Sequence, residues 1–168
     1  MVWRRILVAI ACAWQTQALA FAAGHPCCLI PEPATRFIVQ RAIDGAARRL
    51  GRSPCQQVLN EFSTVSGELL SVALERLGTT PVQFLDGLRF ADGLATAQCR
   101  TRMSLVAYTA PGHPVIFVCG QRFASRFRDN PKAAALIVIH EMLHAVGLGE
   151  NPPASEDIAT EVTRRCGS

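Results

Sequence analysis

The sequence has no apolar run long enough to cross a bilayer, whose core takes about 20 residues of helix; its longest near the start, Ile6 to Trp14, is nine residues. It has one lysine, Lys132, against sixteen arginines, and these are scattered along the chain. A nucleic-acid footprint, which needs a basic stripe or patch, therefore has no support. Tyrosine occurs once, at Tyr108, and both tryptophans (Trp3 and Trp14) lie within the first twenty residues. There is no G-x-S-x-G and no phosphate-binding glycine loop, so serine hydrolase and nucleotide-binding readings lack their carriers. Internal repeats and low-complexity stretches are absent too.

What is present is a chain of 168 residues, 49% hydrophobic and 18% charged. That is enough apolar material for one domain with a real core, and it excludes disorder. Arg4 and Arg5, the apolar Ile6–Trp14 run and the ending Ala18-Leu19-Ala20 describe a secretory signal peptide over residues 1–20. Removing 20 of the 168 residues leaves 148, with six of the seven cysteines: Cys27, Cys28, Cys55, Cys99, Cys119 and Cys166. An even count in an exported chain predicts up to three disulfides, for which 15 connectivities exist. The spacing is too wide for a zinc knuckle. Neighbouring Cys27 and Cys28 are poorly placed to bond each other, so each is expected to reach a different part of the chain.

The pattern along residues 21–168 predicts an α+β domain. Residues 21–33 read as an irregular arm, since they contain Pro26, Pro31 and Pro33. Phe37, Ile38, Ala42, Ile43, Ala46 and Leu50 recur at helical spacing and predict a helix over 34–50, stopped by Gly51. Shorter helices are expected over 55–62 and 67–77. Another is expected from Pro81 to Leu88, with Thr80 as its cap. Residues 103–109 and 114–119, rich in β-branched and aromatic side chains, flank Pro111-Gly112 and predict a hairpin closed by a type II turn. A last helix is expected from Ser155, as cap, to about Arg165, with Ile158 and Val162 inward.

The most informative segment is 130–150. Asn130 is a good cap, Pro131 a good first residue and Gly147 a good terminator for a helix over 131–146. Its stretch from Ala133 to Ile139 has no polar face, so the helix is expected to be buried on all sides. That buried helix carries His140, Glu141 and His144 in the pattern H-E-x-x-H. Residues four apart face the same way, with Cβ atoms about 5–6 Å apart, so both imidazoles can reach one zinc ion. Glu141 then lies beside the metal as general base for a zinc-bound water. The pattern would arise by chance in about 0.4% of chains of this composition. Ionisable groups on a buried helix also need a partner or a metal.

The string continues to H-E-x-x-H-x-x-G-x-x-E, with Gly147 and Glu150. It resembles the metzincin metalloproteases, in which a glycine breaks the zinc helix and a third ligand follows three residues later. In that family the third ligand is His, or Asp in a few; here Glu150 stands there. The family's methionine turn has no counterpart, since Met103 and Met142 are the methionines beyond residue 20. The resemblance implies a small zincin-like domain, a zinc cofactor held by His140, His144 and Glu150, and a secreted or periplasmic peptidase acting on peptides or proteins. Gluzincins place the third ligand on the following helix, which makes Glu161 the rival, with Glu156 and Asp157 as further candidates. Tyr108 and His113 are candidates for stabilising a developing oxyanion. The competing class is an exported zinc-binding or interaction module without catalysis.

Overall fold

The computed structural model describes residues 28–168. The signal-peptide expectation and Cys27 lie outside them, as does the side chain of Cys28. The described chain forms an α+β domain. Strand β1 is Cys28–Leu29, where the sequence suggested only an irregular arm. Helix α1, Pro33–Leu50, starts at Glu32, whose carboxylate accepts from the backbone N–H groups of Ala34 and Thr35. It buries Val39, Ala42, Ile43, Ala46 and Leu50, whereas Phe37 is left 65% exposed. The predicted stripe was therefore rotated by part of a turn, with Val39 rather than Phe37 facing inward.

The region expected as one helix over 55–62 is a short helix α2, Ser53–Gln56, followed by a 3₁₀ turn at Gln57–Asn60. Helix α3 runs Leu70–Arg76, starting three residues later and ending one earlier than expected. Helix α4, Pro81–Gly87, begins as predicted at Thr80. Its hydroxyl accepts from the Gln83 N–H, and the Gln83 side chain accepts from the Thr80 N–H in return. Strand β2, Arg89–Asp92, and helix α5, Ala97–Thr101, follow. The predicted hairpin is present as β3, Ala107–Tyr108, antiparallel to β4, Val115–Val118. Its turn is closed by the His113 N–H donating to the Ala110 carbonyl at 3.0 Å, with Gly112 at φ +74°. That is the positive φ a type II turn requires at its third residue.

Helix α6 is Gly120–Asp129, α7 is Pro131–Val146 and α8 is Ser155–Cys166. The cap residue of α8 is Ala154, which makes no side-chain capping bond, so Ser155 is the first helical residue and not the cap. Ile158 and Val162 are buried as expected.

The sheet has the order β1-β2-β4-β3. β1, β2 and β4 run parallel, and β3 is the antiparallel edge. Helix α7 sits at the centre, packed by α1, α3, α6 and α8 and touching β3 and β4. Nearly its whole circumference is used: Ala134, Ala135, Val138, Ile139, Met142 and Leu143 are all buried. No helix among the described residues is long and apolar enough to cross a membrane.

Two disulfides join described residues. Cys55–Cys166 ties α2 to the end of α8 across 111 residues, and Cys99–Cys119 ties α5 to the end of β4 across 20. Closing the longer loop removes more unfolded-state freedom. Replacing Cys55 and Cys166 together by Ala is expected to destabilise the fold by about 2–5 kcal/mol, read from urea denaturation; an unchanged midpoint and slope would show that the bridge contributes nothing.

Candidate metal centre

Three elements build the site. Helix α7 supplies His140, Glu141 and His144; the loop after it supplies Glu150; the hairpin of β3 and β4 forms the opposite wall. The helix is held in register at both ends. The Asn130 side chain accepts from the Ala133 N–H at 3.1 Å, and the N–H of Gly147 reaches back to the His144 carbonyl at 2.9 Å. The hairpin turn is pinned to the same place, since the Gly112 N–H donates to that carbonyl at 2.9 Å.

Gly147 adopts φ +134°, and a Cβ there would meet the Thr64 methyl at 3.0 Å. Both facts call for glycine at this position. The reversal turns the chain so that residue 150 comes back beneath the helix. A strap from residues 64–65 fixes it there: the Val65 N–H donates to the Gly147 carbonyl at 2.9 Å, and Thr64 bridges to Leu148.

The Nε2 atoms of His140 and His144 stand 3.1 Å apart, and a Glu150 oxygen is 3.4 Å from His144 Nε2. One ligand atom from each of His140, His144 and Glu150 lies within 4.8 Å of the other two. His144 Nδ1–H donates to the Leu148 carbonyl at 2.8 Å. A carbonyl can only accept, so the bond fixes the proton on Nδ1 and leaves Nε2 as a bare donor atom facing the site. Two ligands of a tetrahedral zinc, each about 2.0–2.1 Å from it, are separated by about 3.3 Å. The spacings of 3.1 and 3.4 Å match that figure. Two histidines and one carboxylate, with one side of the group open to a cleft, suit an ion that keeps a fourth position free.

Of the alternatives, Glu161 is engaged elsewhere: it accepts from Arg164 Nε at 2.8 Å and from Arg165 Nε at 2.9 Å. The same two arginines also bind Glu61, which makes this a partly exposed ionic cluster joining α8 to the segment before α3. Glu156 and Asp157, in the first turn of α8, are exposed and outside the group around His144. Their place at a helix N-terminus suits the helix dipole.

Glu141 is 7% exposed and His144 4%, while His140 is half-buried. In the metal-free protein, burial and then the nearby Glu150 carboxylate push Glu141 up to about 8, against an opposing hydrogen bond from the Thr109 backbone. Burial, and then His144, push His140 down to about 4. The two shifts have opposite consequences. Between about 4 and 6.5 the unfolded chain protonates His140 and the native state does not, so stability rises with pH. Between 4.5 and about 8 the native state retains the Glu141 proton that the unfolded chain has lost, so stability falls with pH. Above 6.5 Glu141 acts alone. The melting temperature of the metal-free protein is therefore expected to fall from pH 6.5 to 8, and Glu141→Gln to remove most of that fall; an equal fall in both proteins would contradict the assignment.

The group opens into a cleft of about 460 Å³ lined by Tyr108, Thr109, His113, Glu141 and Glu150. Both further candidates thus share the cleft with the histidines. Tyr108 stacks on Phe117, with ring centroids 5.1 Å apart, and directs its hydroxyl at Gln98 at 3.5 Å. His113 accepts from the Val115 N–H through Nδ1 at 3.3 Å. Sequence reasoning missed Gln98 and the Thr64–Val65 strap. Neither carries a local signal, because each reaches the site only through the tertiary fold. Comparison with known proteins finds no matching family model, no matching curated protein and no matching solved structure.

Proposed function

We propose that the protein is an exported zinc-dependent peptidase, with His140, His144 and Glu150 as metal ligands and Glu141 as general base. The observation that carries this reading is the convergence of three donor groups within 4.8 Å of one another, with His144 Nε2 at 3.1 and 3.4 Å from the other two, beside a buried carboxylate that is not itself one of them. A proton-shuttling carboxylate needs that place: close to the reacting atoms, largely out of water and free of the metal. Zinc, when bound, supplies Lewis acidity that brings the pKa of water to about 7 and polarises a carbonyl.

The chain's own groups do the rest. Glu141 takes the proton from the attacking water and returns it to the amine that leaves. His144 is held in its ligating orientation by Leu148, and Gly147 sets the reach of Glu150. β3 is an edge strand, so an extended peptide can add alongside it and lie across the cleft. Tyr108 and His113 line the wall of that cleft, and in this reading they donate to the carbonyl oxygen as it gains charge. Export is supported by the sequence of residues 1–20 and by two disulfides, which persist in oxidising compartments.

The test is digestion of a diverse peptide library by the zinc-loaded protein, with cleavage sites read by mass spectrometry. Cleavage that a chelator stops and added zinc restores is the expected result. Chelator-insensitive cleavage, or none at all, would count against a zinc peptidase.

A further inference from the structure

A second cavity, of about 430 Å³, meets the cleft at His140 and Glu141 and extends away from it between β3, α7 and α8. Its α7 wall runs from Glu141 back through Ile137 and Leu136 to Ala133. Eight helical steps of 1.5 Å from residue 133 to residue 141 make that wall about 12 Å long. Val106 and Ala107 on the strand side and Val162 on α8 complete an apolar trough. Among its lining residues the one carboxylate is Glu141, at the metal end.

The opposite end carries a cation. Arg126 lines the trough from the last turn of α6. Its carbonyl accepts from the Asn130 N–H at 2.9 Å, and Asn130 caps α7, so Arg126 stands at the Ala133 end. Its guanidinium has no hydrogen-bond or ion-pair partner among the described residues. An apolar channel starting at a hydrolytic centre and ending on an unpaired guanidinium matches an apolar peptide whose terminal carboxylate lies one channel length from the scissile bond. At about 3.4 Å per extended residue, 12 Å is about three residues.

We propose that the trough seats the C-terminal end of the substrate: about three residues with apolar side chains, their terminal carboxylate paired with Arg126. This rests on the peptidase reading above and makes Arg126 the specificity-determining residue. The reaction is hydrolysis: the amide C–N bond breaks, hydroxide adds to the carbonyl carbon, and the proton goes to the nitrogen of the released tripeptide. Arginine suits the role because its planar fork pairs a carboxylate through two hydrogen bonds.

The experiment compares zinc-loaded protein on peptides ending in Leu-Leu-Leu, as free acids and as C-terminal amides. The expected result is kcat/KM about tenfold or more higher for the acids, the gain typical of a charge-assisted hydrogen bond, with a tripeptide as product. Arg126→Gln brings the acid down to the amide's level, Arg126→Lys restores part of the preference, and Arg128→Gln, exposed on α6 outside the trough, keeps it. Equal rates for acid and amide in an active wild type, or a preference that survives Arg126→Gln, would overturn the proposal while leaving the peptidase intact. Should no peptide be cleaved, the peptidase reading fails, and binding then decides for the trough. Acetyl-Leu-Leu-Leu as acid is expected to shift the Arg126 Nε–H resonance of zinc-loaded Glu141→Gln protein, with a Kd about tenfold below that of the amide. No shift, or equal affinities, would overturn it.

Discussion

Glu141→Gln protein is expected to bind zinc as the wild type does and to hydrolyse peptides 10²–10⁴-fold more slowly, the usual loss on removing a general base. The argument is geometric. Glu141 lies beside the histidines but outside the group that could hold a metal ion, His140, His144 and Glu150. An amide has nearly the same shape as a carboxyl, and its oxygen can still accept the hydrogen bond from the Thr109 backbone, so the buried helix is undisturbed. What it lacks is the basic oxygen that accepts a proton. The measurement pairs kcat with zinc content on the same preparation. A variant that retains zinc and cleaves as fast as the wild type would remove Glu141 from the chemistry. If neither protein cleaves any peptide, the chain is better read as a zinc-binding module.

His144→Ala is expected to abolish stoichiometric zinc and to destabilise the metal-free protein. Both effects follow from one side chain with two bonds. Nε2 faces the site, and Nδ1–H satisfies the Leu148 carbonyl at 2.8 Å. Leu148 is buried, and losing the donor strands that carbonyl at a cost of about 1–3 kcal/mol. Equilibrium dialysis against zinc and thermal unfolding of the chelated protein read the two effects separately. Glu150→Ala is expected to weaken zinc, whereas Glu161→Ala, touching only the arginine cluster, is expected to leave zinc unchanged and loosen the contact of α8 with Glu61. Zinc lost from Glu161→Ala and kept in Glu150→Ala would transfer the third ligand to α8.

The parts of this molecule that were legible in the sequence are those whose determinants are local. Helix α7 announces itself through Asn130, Pro131 and Gly147 at its own ends. The hairpin does so through Pro111-Gly112, and the pair of histidines through a spacing that equals one helical turn. Glu150 came from likeness to a motif, and its convergence with the histidines depends on the Gly147 reversal and on a strap from residues 64–65 that no local rule foretells. Strand β2 was not legible because its partners are parallel and distant, at 28–29 and 115–118, and four residues with one buried Phe carry no alternation to read. Helix α6 does carry a local signal, Phe123 and Phe127 spaced by four among Arg122, Arg126 and Arg128. The rotation of α1 shows the limit of periodicity alone: Phe37 and Val39 fit the stripe about equally well, and packing against its neighbours chose Val39. Glu161 looked available as a ligand because sequence does not show that Arg164 and Arg165 already hold it.

The central claim, that His140, His144 and Glu150 form a zinc site, is tested most directly by metal analysis of the purified protein and its variants by inductively coupled plasma mass spectrometry. One zinc per chain in the wild type and in Glu141→Gln, with none above background in His140→Ala and His144→Ala, is the predicted result. A wild type that takes up no zinc, or a His140→Ala/His144→Ala double variant that still holds one equivalent, would contradict it.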